Sequence, residues 1–245
     1  MDTFGPATYG ERIAEAYDEF YPSSANTHAM VETLAKLAGA GPVLELGIGT
    51  GRVALPLASH GLTVHGIDAS EAMIKRLQAK PGGASISVTI GDFANVDVPD
   101  RYSLIYVVFN TFFALTSQDE QVRCVANCAS HLDAGGTLLI EAFYPDPTRY
   151  TRGQNVSAIH IDTDSVSLDV SRHDPVQQVV TGQRLHVTAG GLKIYPVQLR
   201  YAWPSELDLM ARLAGLRLRS RSGGWRGEPY VAASGMHVSI YTKQS

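Results

Sequence analysis

The segment VLELGIGTGR, residues 43–52, constrains the fold of this chain more than any other stretch. It begins with an apolar run of the length of a short buried strand and then places Gly47, Gly49 and Gly51 at alternate positions. Glycine has no Cβ atom, so the backbone can turn sharply there and a ligand can lie directly against it. The helix-like residues 53–60, VALPLASH, follow. A strand, a glycine turn and a helix in this order are typical of an open α/β sheet that binds its ligand at the carboxyl edge.

Two further strand-like segments end in an acid. Residues 63–68, TVHGID, end at Asp68, which lies about 20 residues past the glycines, where a doubly wound fold places an acid that accepts hydrogen bonds from ribose hydroxyls. Residues 86–93, ISVTIGDF, end at Asp92 and Phe93. An NAD site would use the same acid at position 68, so this residue alone does not identify the cofactor.

The spacing of the glycines favours a cofactor other than NAD. The usual dinucleotide fingerprint is G-x-G-x-x-G, whereas this chain has G-x-G-x-G with Glu45 two residues before the first glycine. Together with the two downstream acids, this resembles the class I S-adenosylmethionine (SAM)-dependent methyltransferases, whose first motif is E/D-x-G-x-G-x-G. The resemblance is specific for residues 41–144, looser for the N-terminal helices and only architectural further on. It implies SAM as cofactor and S-adenosylhomocysteine as product.

The resemblance also implies roles for individual residues. Asp68 would bind both ribose hydroxyls, and Asp92 would face the adenine amino group with Phe93 beside the ring. Arg52 would pair with the methionine carboxylate, while Glu45 would hold the ammonium group. The expected cofactor-binding residues are Tyr9, Tyr17, Glu45, Gly47, Gly49, Gly51, Arg52, Asp68, Ala69, Asp92, Phe93 and Asn110.

The expected fold is an α/β, Rossmann-like class I methyltransferase sheet, mostly parallel with an antiparallel last strand, with helices on both faces and an inserted antiparallel β lid. The strand–helix alternation stops after the fifth strand, TLLIEAFY, and four segments of alternating apolar and polar residues follow, separated by turn residues. A sheet inserted there resembles the accessory region of sugar-amine and other natural-product methyltransferases. The predicted divisions are an N-terminal helical cap (1–40), a SAM-binding core (41–150), the lid (151–203) and the C-terminal part of the core (204–245).

The N-terminal residues 8–20 predict one amphipathic helix. Tyr9, Tyr17, Asp18 and Tyr21 resemble the Y…YDxxY pattern with which small-molecule methyltransferases often cover the cofactor. The alternative is that the tyrosines are packing residues of an amphipathic helix.

Methyl transfer is an in-line displacement that depends mainly on alignment of the acceptor and exclusion of water. A base is needed only if the acceptor must lose a proton. Asn110 ends the fourth strand, and Glu141 and Tyr144 end the fifth, on the edge that carries the glycine turn. His173 lies beside a turn with acids nearby. The candidate catalytic or acceptor-orienting residues are Asn110, Tyr144, Glu141, His173 and Tyr17; for Asn110 a turn hydrogen bond and for His173 a surface position are the alternatives.

Charge and composition argue against several classes of protein. A formal net charge of −4 argues against nonspecific nucleic-acid binding, and no apolar run approaches the roughly 20 residues of a membrane span. The first 20 residues lack a signal-peptide core, so a cytoplasmic protein is expected. Cys124 and Cys128 are expected as small apolar helix residues, and no metal site is predicted. The alternating residues Arg217, Arg219 and Arg221 predict a solvated strand face, with an anionic-substrate contact as the alternative.

These observations predict an enzyme that methylates N or O of a small molecule, a secondary metabolite or its sugar precursor. No nucleic acid or membrane is expected as a partner, and the chain would be a monomer or homodimer. Two alternatives stay open: an NAD-dependent oxidoreductase, and a protein that binds SAM without transferring its methyl group.

Overall fold

The computed structural model describes residues 4–95 and 98–244, which form two β-sheets and seven α-helices. The strands are β1 (Val43–Leu46), β2 (Val64–Asp68), β3 (Ser87–Ile90), β4 (Tyr102–Val107), β5 (Leu132–Phe143), β6 (Gln154–Ile161), β7 (Ser165–Asp174), β8 (Val179–Thr188), β9 (Gly191–Arg200), β10 (Leu216–Ser222) and β11 (Met236–Lys243). The helices are α1 (Thr8–Ile13), α2 (Tyr17–Phe20), α3 (Ala25–Ala38), α4 (Ala54–Ser59), α5 (Glu71–Gln78), α6 (Gln118–His131) and α7 (Pro204–Leu213).

The larger sheet has the order β10-β11-β5-β4-β1-β2-β3. Strands β1 to β5 pair in parallel, and β11 pairs antiparallel with both β5 and β10. The predicted fold class is confirmed, including the antiparallel closing pair. The chain moves outward in one direction from β1 and in the other from β4, so a topological switch point lies between these two strands. In open α/β sheets, ligands bind outside the carboxyl ends of the strands at such a point.

Burial of β1 explains its central position, because all four of its residues are buried. Successive side chains of a strand point to opposite faces. Val43 accordingly packs in the apolar cluster that includes α3 and α4, and Leu44 packs in the cluster that includes α6 and α7. Helices α3 and α6 begin with complete capping boxes at Ser24 and Ser117, which satisfy backbone N–H groups at both starts.

The smaller sheet, β6 to β9, is a four-stranded antiparallel meander between β5 and α7. It is the inserted lid that the sequence predicted. The lid also contacts the N-terminus, since Phe20 packs edge-on against Tyr195 of β9 and His186 of β8.

The single N-terminal helix predicted for residues 8–20 is wrong. The segment forms α1 and α2, separated by a turn at 14–16. Both halves pack against one buried cluster that contains Ile13 and Met73 of α5, and the ring of Tyr17 also lies 5.7 Å from the Arg52 guanidinium. A continuous helix would keep both on one axis, and tertiary contacts of short segments outweigh helix propensity.

The predicted solvated arginine face of β10 is correct for Arg217 and Arg219, which are exposed, but wrong for Arg221. A register shift between Leu218 and Ser220 interrupts the alternation. Arg221 therefore turns toward α7 and pairs with Asp208 at 2.6 Å. An irregularity of this kind re-aims the side chains that follow it.

No helix within residues 4–95 and 98–244 is long and apolar enough to cross a membrane. Cys124 and Cys128 are buried on α6 with free thiols.

Candidate active site

The glycine turn lies at the switch point, directly after β1. Gly47, Gly49 and Gly51 have φ values of 72°, 55° and 78°, a left-handed conformation that favours glycine. The N–H groups of Gly47 and Ile48 both donate to the carbonyl of Ile67, which ties the turn to the end of β2. The turn is therefore a fixed backbone surface at the carboxyl edge of the sheet.

The three glycines have different neighbours. A Cβ atom at Gly47 would lie 2.5 Å from Cγ2 of Thr111, whereas at Gly49 the nearest atom is a carbonyl at 4.0 Å. A Cβ atom at Gly51 would overlap the side chain of Leu77. Gly51 thus allows α5 to pack against the turn, while the backbone at Gly49 is open to a ligand.

A first cavity of about 230 Å³ opens over this turn. Its walls come from the turn, the ends of β2 and β3, the segment after β4, and the N-terminal segment, residues 4–21. Eight predicted cofactor residues line it: Tyr9, Tyr17, Gly47, Gly49, Asp68, Ala69, Asp92 and Phe93. Four others, Glu45, Gly51, Arg52 and Asn110, lie outside its lining.

Asp68 is held in a defined orientation at the end of β2. Its Oδ2 accepts from the N–H of Gly49 at 2.7 Å, and its Oδ1 accepts from the N–H of Ser70 at 2.9 Å. Burial raises the pKa of this carboxyl, and the backbone hydrogen bonds act in the opposite direction. A carboxylate has about four lone-pair positions, so the two oxygens can still accept from a pair of hydroxyls.

The donors and acceptors of the first cavity suit an adenosyl group. Asp68 and Asp92 offer carboxylate oxygens, Phe93 offers an aromatic face, and the glycine turn leaves the backbone accessible. An adenosyl group brings hydroxyls, an exocyclic amine and an aromatic ring, which are the matching partners. The residues present therefore fit SAM, although the contacts of each residue stay predictions.

Arg52 and Glu45 lie outside the lining of the first cavity. The Arg52 guanidinium lies 3.4 Å from the ring centroid of Phe109 and donates to the carbonyl of Tyr21 at 3.3 Å. Its buried Nε has no hydrogen-bond partner among the described residues. Glu45 is buried and accepts from the hydroxyl of Tyr106 at 2.9 Å. The orphaned donor of Arg52 fits the predicted anionic partner, whereas the carboxyl of Glu45 is already hydrogen-bonded to Tyr106.

Burial raises the pKa of Glu45 to about 8 and that of Glu141 to about 7, from 4.5. A carboxyl group whose pKa is raised in the folded state stabilises the protein fully below pH 4.5, its pKa in the unfolded chain. This stabilisation is lost as the pH rises through the pKa of the folded state. Burial lowers the pKa values of His65 and His237, so these residues make the protein more stable as the pH rises, but only below about pH 6.5.

We therefore expect the wild-type protein to lose stability between pH 6.5 and 8, by roughly 1.5 kcal/mol from Glu45, or roughly 3 to 6 °C in Tm. Glu45→Gln should flatten this dependence, because the amide does not titrate and its oxygen can still accept from Tyr106. Thermal unfolding at several pH values measures the difference. Parallel Tm curves for the two proteins would contradict the raised pKa of Glu45.

The turn after β4 is strained and is held by hydrogen bonds to β5. Phe109 and Asn110 have φ values of 57° and 64°, which are uncommon for residues with a Cβ atom. The Phe109 N–H donates to the carboxyl of Glu141. The Asn110 Oδ1 accepts from the N–H of Phe143 at 2.6 Å. Glu141 and Asn110 therefore hold the backbone of this turn, which is a positioning role.

A second cavity, the lid cavity, has a volume of about 490 Å³ and lies between the carboxyl ends of β4 and β5 and the inner face of the lid. Asn110, Tyr144 and His173 line it, whereas the other two catalytic candidates, Glu141 and Tyr17, do not. The adjacent residues Asn110 and Thr111 line the lid cavity and the first cavity, respectively. The two cavities are thus neighbours across one peptide unit.

His173 is oriented by aromatic neighbours rather than lying on the open surface. Its Nε2 is 2.9 Å from the hydroxyl of Tyr201, and its ring stacks on Tyr150 at a centroid distance of 4.6 Å. Burial raises the pKa values of both tyrosines, so their hydroxyls stay protonated at neutral pH.

Several lining residues were missed from sequence. Asp169 and Arg184 face the lid cavity from β7 and β8, and Tyr150 and Tyr201 enclose His173. Asp169 and His173 share the two-residue period of β7, which was the available signal. The pattern did not reveal which face of the lid is turned inward.

Asp18 has a structural contact that was not predicted. Its carboxylate accepts from Lys80 at 2.9 Å and from the hydroxyl of Thr50 at 2.6 Å. The N-terminal segment is thereby anchored to the glycine turn, next to Tyr17.

Comparisons with known proteins agree with this geometry. The model of a methyltransferase domain family matches residues 43–136, the part that contains the glycine turn and the strand-end acids. The solved structure of the CcbJ methyltransferase from Streptomyces caelestis is 38% identical, with a TM-score of 0.93, and the match covers 99% of this chain and 100% of that chain.

Two further proteins are similar over nearly the whole chain. The cypemycin N-terminal methyltransferase of a Streptomyces species is 29% identical over 98% of this chain and 99% of its own length. SAM-bound CalS10, an amino pentose methyltransferase from Micromonospora echinaspora involved in calicheamicin biosynthesis, is 18% identical with a TM-score of 0.70, covering 100% of this chain and 99% of that chain.

The full-length similarity to CcbJ, together with the match to the family model over the glycine turn, decides between the alternatives that Asp68 left open. SAM is the cofactor, and the NAD-dependent oxidoreductase is excluded. The chain belongs to the class I SAM-dependent methyltransferases.

Proposed function

We propose that this methyltransferase acts on a nitrogen atom of a small molecule, an amine of a secondary metabolite or of its sugar precursor, bound in the lid cavity. The observation that carries the proposal is the position of that cavity, which adjoins the first cavity across Asn110 and Thr111. Its volume of about 490 Å³ suits a small organic molecule.

The bases available in the lid cavity favour nitrogen over oxygen. An aliphatic ammonium has a pKa of roughly 8 to 10, whereas a hydroxyl is closer to water, at about 15.7. An amine acceptor therefore makes a smaller demand on a proton acceptor such as His173 than a hydroxyl acceptor does. The neighbouring phenols, with raised pKa values, are not bases at neutral pH.

Similarity adds independent support. The cypemycin N-terminal methyltransferase, which is similar over the full chain, is named for methylation at an amino terminus. Its similarity over nearly the whole chain supports an amine as the acceptor of this protein.

In this proposal the protein aligns the acceptor, excludes water from the site and supplies one proton acceptor. SAM, when bound, supplies a methyl group on a positively charged sulfur that departs as a neutral thioether. Asn110 and Glu141 fix the turn between the cavities, and the N-terminal segment closes the first cavity against water. His173 or solvent takes the proton that the ammonium form of the acceptor must lose, so that the nitrogen lone pair is free to attack.

The test uses matched pairs of acceptors that differ only in an amine or a hydroxyl at one position, such as amino sugars and their parent sugars. We expect a mass increase of one methyl group, with equivalent S-adenosylhomocysteine, for amine members only. The rising limb of kcat/KM with pH should move with the amine pKa of the acceptor. Methylation of hydroxyl members alone would refute the assignment to nitrogen.

A further inference from the structure

We propose that Arg184 of β8 is a binding residue for a carboxylate of the acceptor, so that the preferred substrate is an amine that also carries a carboxylate group. This inference rests on the proposed function, since it assigns a second recognition element to the same lid cavity. It comes from the contacts that Arg184 makes and from those that it lacks.

The Arg184 guanidinium lines the lid cavity and is only partly exposed. One Nη donates to the hydroxyl of Tyr21, and the charge lies 5.5 Å from the centroid of that ring. Its Nε is buried and has no hydrogen-bond partner within the described part of the chain. A buried N–H of a charged group that lacks an acceptor costs free energy, and a ligand oxygen would remove that cost.

The charge of Arg184 also lacks a counter-ion among the residues that the structure describes. The salt bridges among the described residues are Lys80–Asp18, His160–Asp162, Arg200–Glu206 and Arg221–Asp208, none of which includes it. Asp169 is directly opposite in the β7–β8 register and lines the same cavity. Side chains opposite each other in an antiparallel pair normally lie within reach. Here Arg184 instead turns to Tyr21, which leaves both charges facing the cavity.

This arrangement has the chemistry of a site for a dipolar ligand. A guanidinium binds a carboxylate through parallel N–H···O bonds, and Arg184 still has donors to offer. Asp169 has Arg149 as a cationic neighbour on the same cavity wall but forms no salt bridge within the described residues, so it can accept from an ammonium or hydroxyl group elsewhere on the same molecule. An acceptor without a carboxylate would leave the buried Nε of Arg184 without a hydrogen-bond acceptor.

The test compares amine probes in acid and amide pairs, such as trialanine and its C-terminal amide. The wild-type protein saturated with S-adenosylhomocysteine is examined by thermal shift and calorimetry, and methylation is followed with SAM. We expect the acid member to be preferred by roughly 10- to 100-fold. Arg184→Gln should bring the ratio close to one in both binding and kcat/KM.

Two variants distinguish recognition from structural damage. Tyr21→Phe removes the hydroxyl that contacts Arg184 but keeps the guanidinium, so the acid preference should persist. Asp169→Asn removes the negative charge opposite Arg184, so the acid preference should increase. An unchanged acid-to-amide ratio in Arg184→Gln, or no acid preference in the wild type, would overturn the inference.

The two proposals fail in different ways. If acid probes bind with the expected dependence on Arg184 and none is methylated at nitrogen, the site for the carboxylate stands and the assignment to nitrogen fails. If amines are methylated with no effect of Arg184→Gln on the acid-to-amide ratio, the assignment to nitrogen stands and the role of Arg184 is wrong.

Discussion

Replacement of Asp68 by alanine is expected to weaken SAM binding by about 100-fold or more, which corresponds to about 2.7 kcal/mol. The carboxylate is oriented by the N–H groups of Gly49 and Ser70, and it retains lone pairs directed to the first cavity. Two charge-assisted hydrogen bonds to ribose hydroxyls would account for a loss of this size. Isothermal titration with SAM and with S-adenosylhomocysteine measures it.

The loss must be separated from a local collapse of the glycine turn, because Asp68→Ala also removes the acceptor of Gly49. Asp68→Asn keeps an oxygen for one of the two backbone N–H groups, so it should bind with intermediate affinity. Glu71→Ala changes an exposed acid close by on α5 and should leave binding unchanged. A Kd for SAM within threefold of wild type in Asp68→Ala would remove this residue from the site.

Replacement of Asn110 is expected to lower turnover by at least tenfold while leaving SAM affinity within a few-fold of wild type. Asn110 lines the lid cavity, and its Oδ1 holds the Phe143 N–H at 2.6 Å in a turn with positive φ. Loss of that acceptor leaves an N–H unpaired, at a cost of about 1 to 3 kcal/mol. The turn then no longer has a defined position between the two cavities.

Glycine and alanine at position 110 separate the hydrogen bond from the backbone strain. Both lack the side-chain acceptor, but alanine at a φ of 64° costs about 1 kcal/mol more than glycine. Asn110→Gly should therefore unfold roughly 2 to 4 °C above Asn110→Ala. Single-turnover kinetics with saturating SAM measures the loss of turnover. An unaltered rate in both variants would mean that Asn110 is neither a positioning nor a catalytic residue.

The elements that sequence predicted correctly are those with local signals. The glycine turn requires left-handed backbone angles, and the β2 and β3 strands carry their acids at the carboxyl ends. Parallel strands place these ends on one edge, so Gly47, Asp68 and Asp92 meet in the first cavity without further information. The two-residue period likewise identified the four lid strands before their pairing was known.

The sequence could not predict side-chain directions at places where a shift of one residue along a strand or helix turns the side chains to another face. The bulge between Leu218 and Ser220 separates Arg221 from Arg217 and Arg219. The break at 14–16 divides the predicted helix, so that Tyr17 contacts Arg52 as well as the buried cluster around Ile13. Glu141 was predicted at the site edge, but its carboxyl turns to the Phe109 N–H, a contact that depends on how β5 packs against the turn after β4.

By itself, the sequence determined the class of fold, the cofactor edge and the presence of an antiparallel insertion, because glycine geometry and residue period act over a few residues. Only the tertiary structure decided that Asn110 and Thr111 separate two cavities and that Asp169 and Arg184 face one of them without a salt bridge to each other. Those facts depend on the register of β7 with β8 and on how the lid lies over the core. Such contacts join residues far apart in the chain, so no local pattern encodes them.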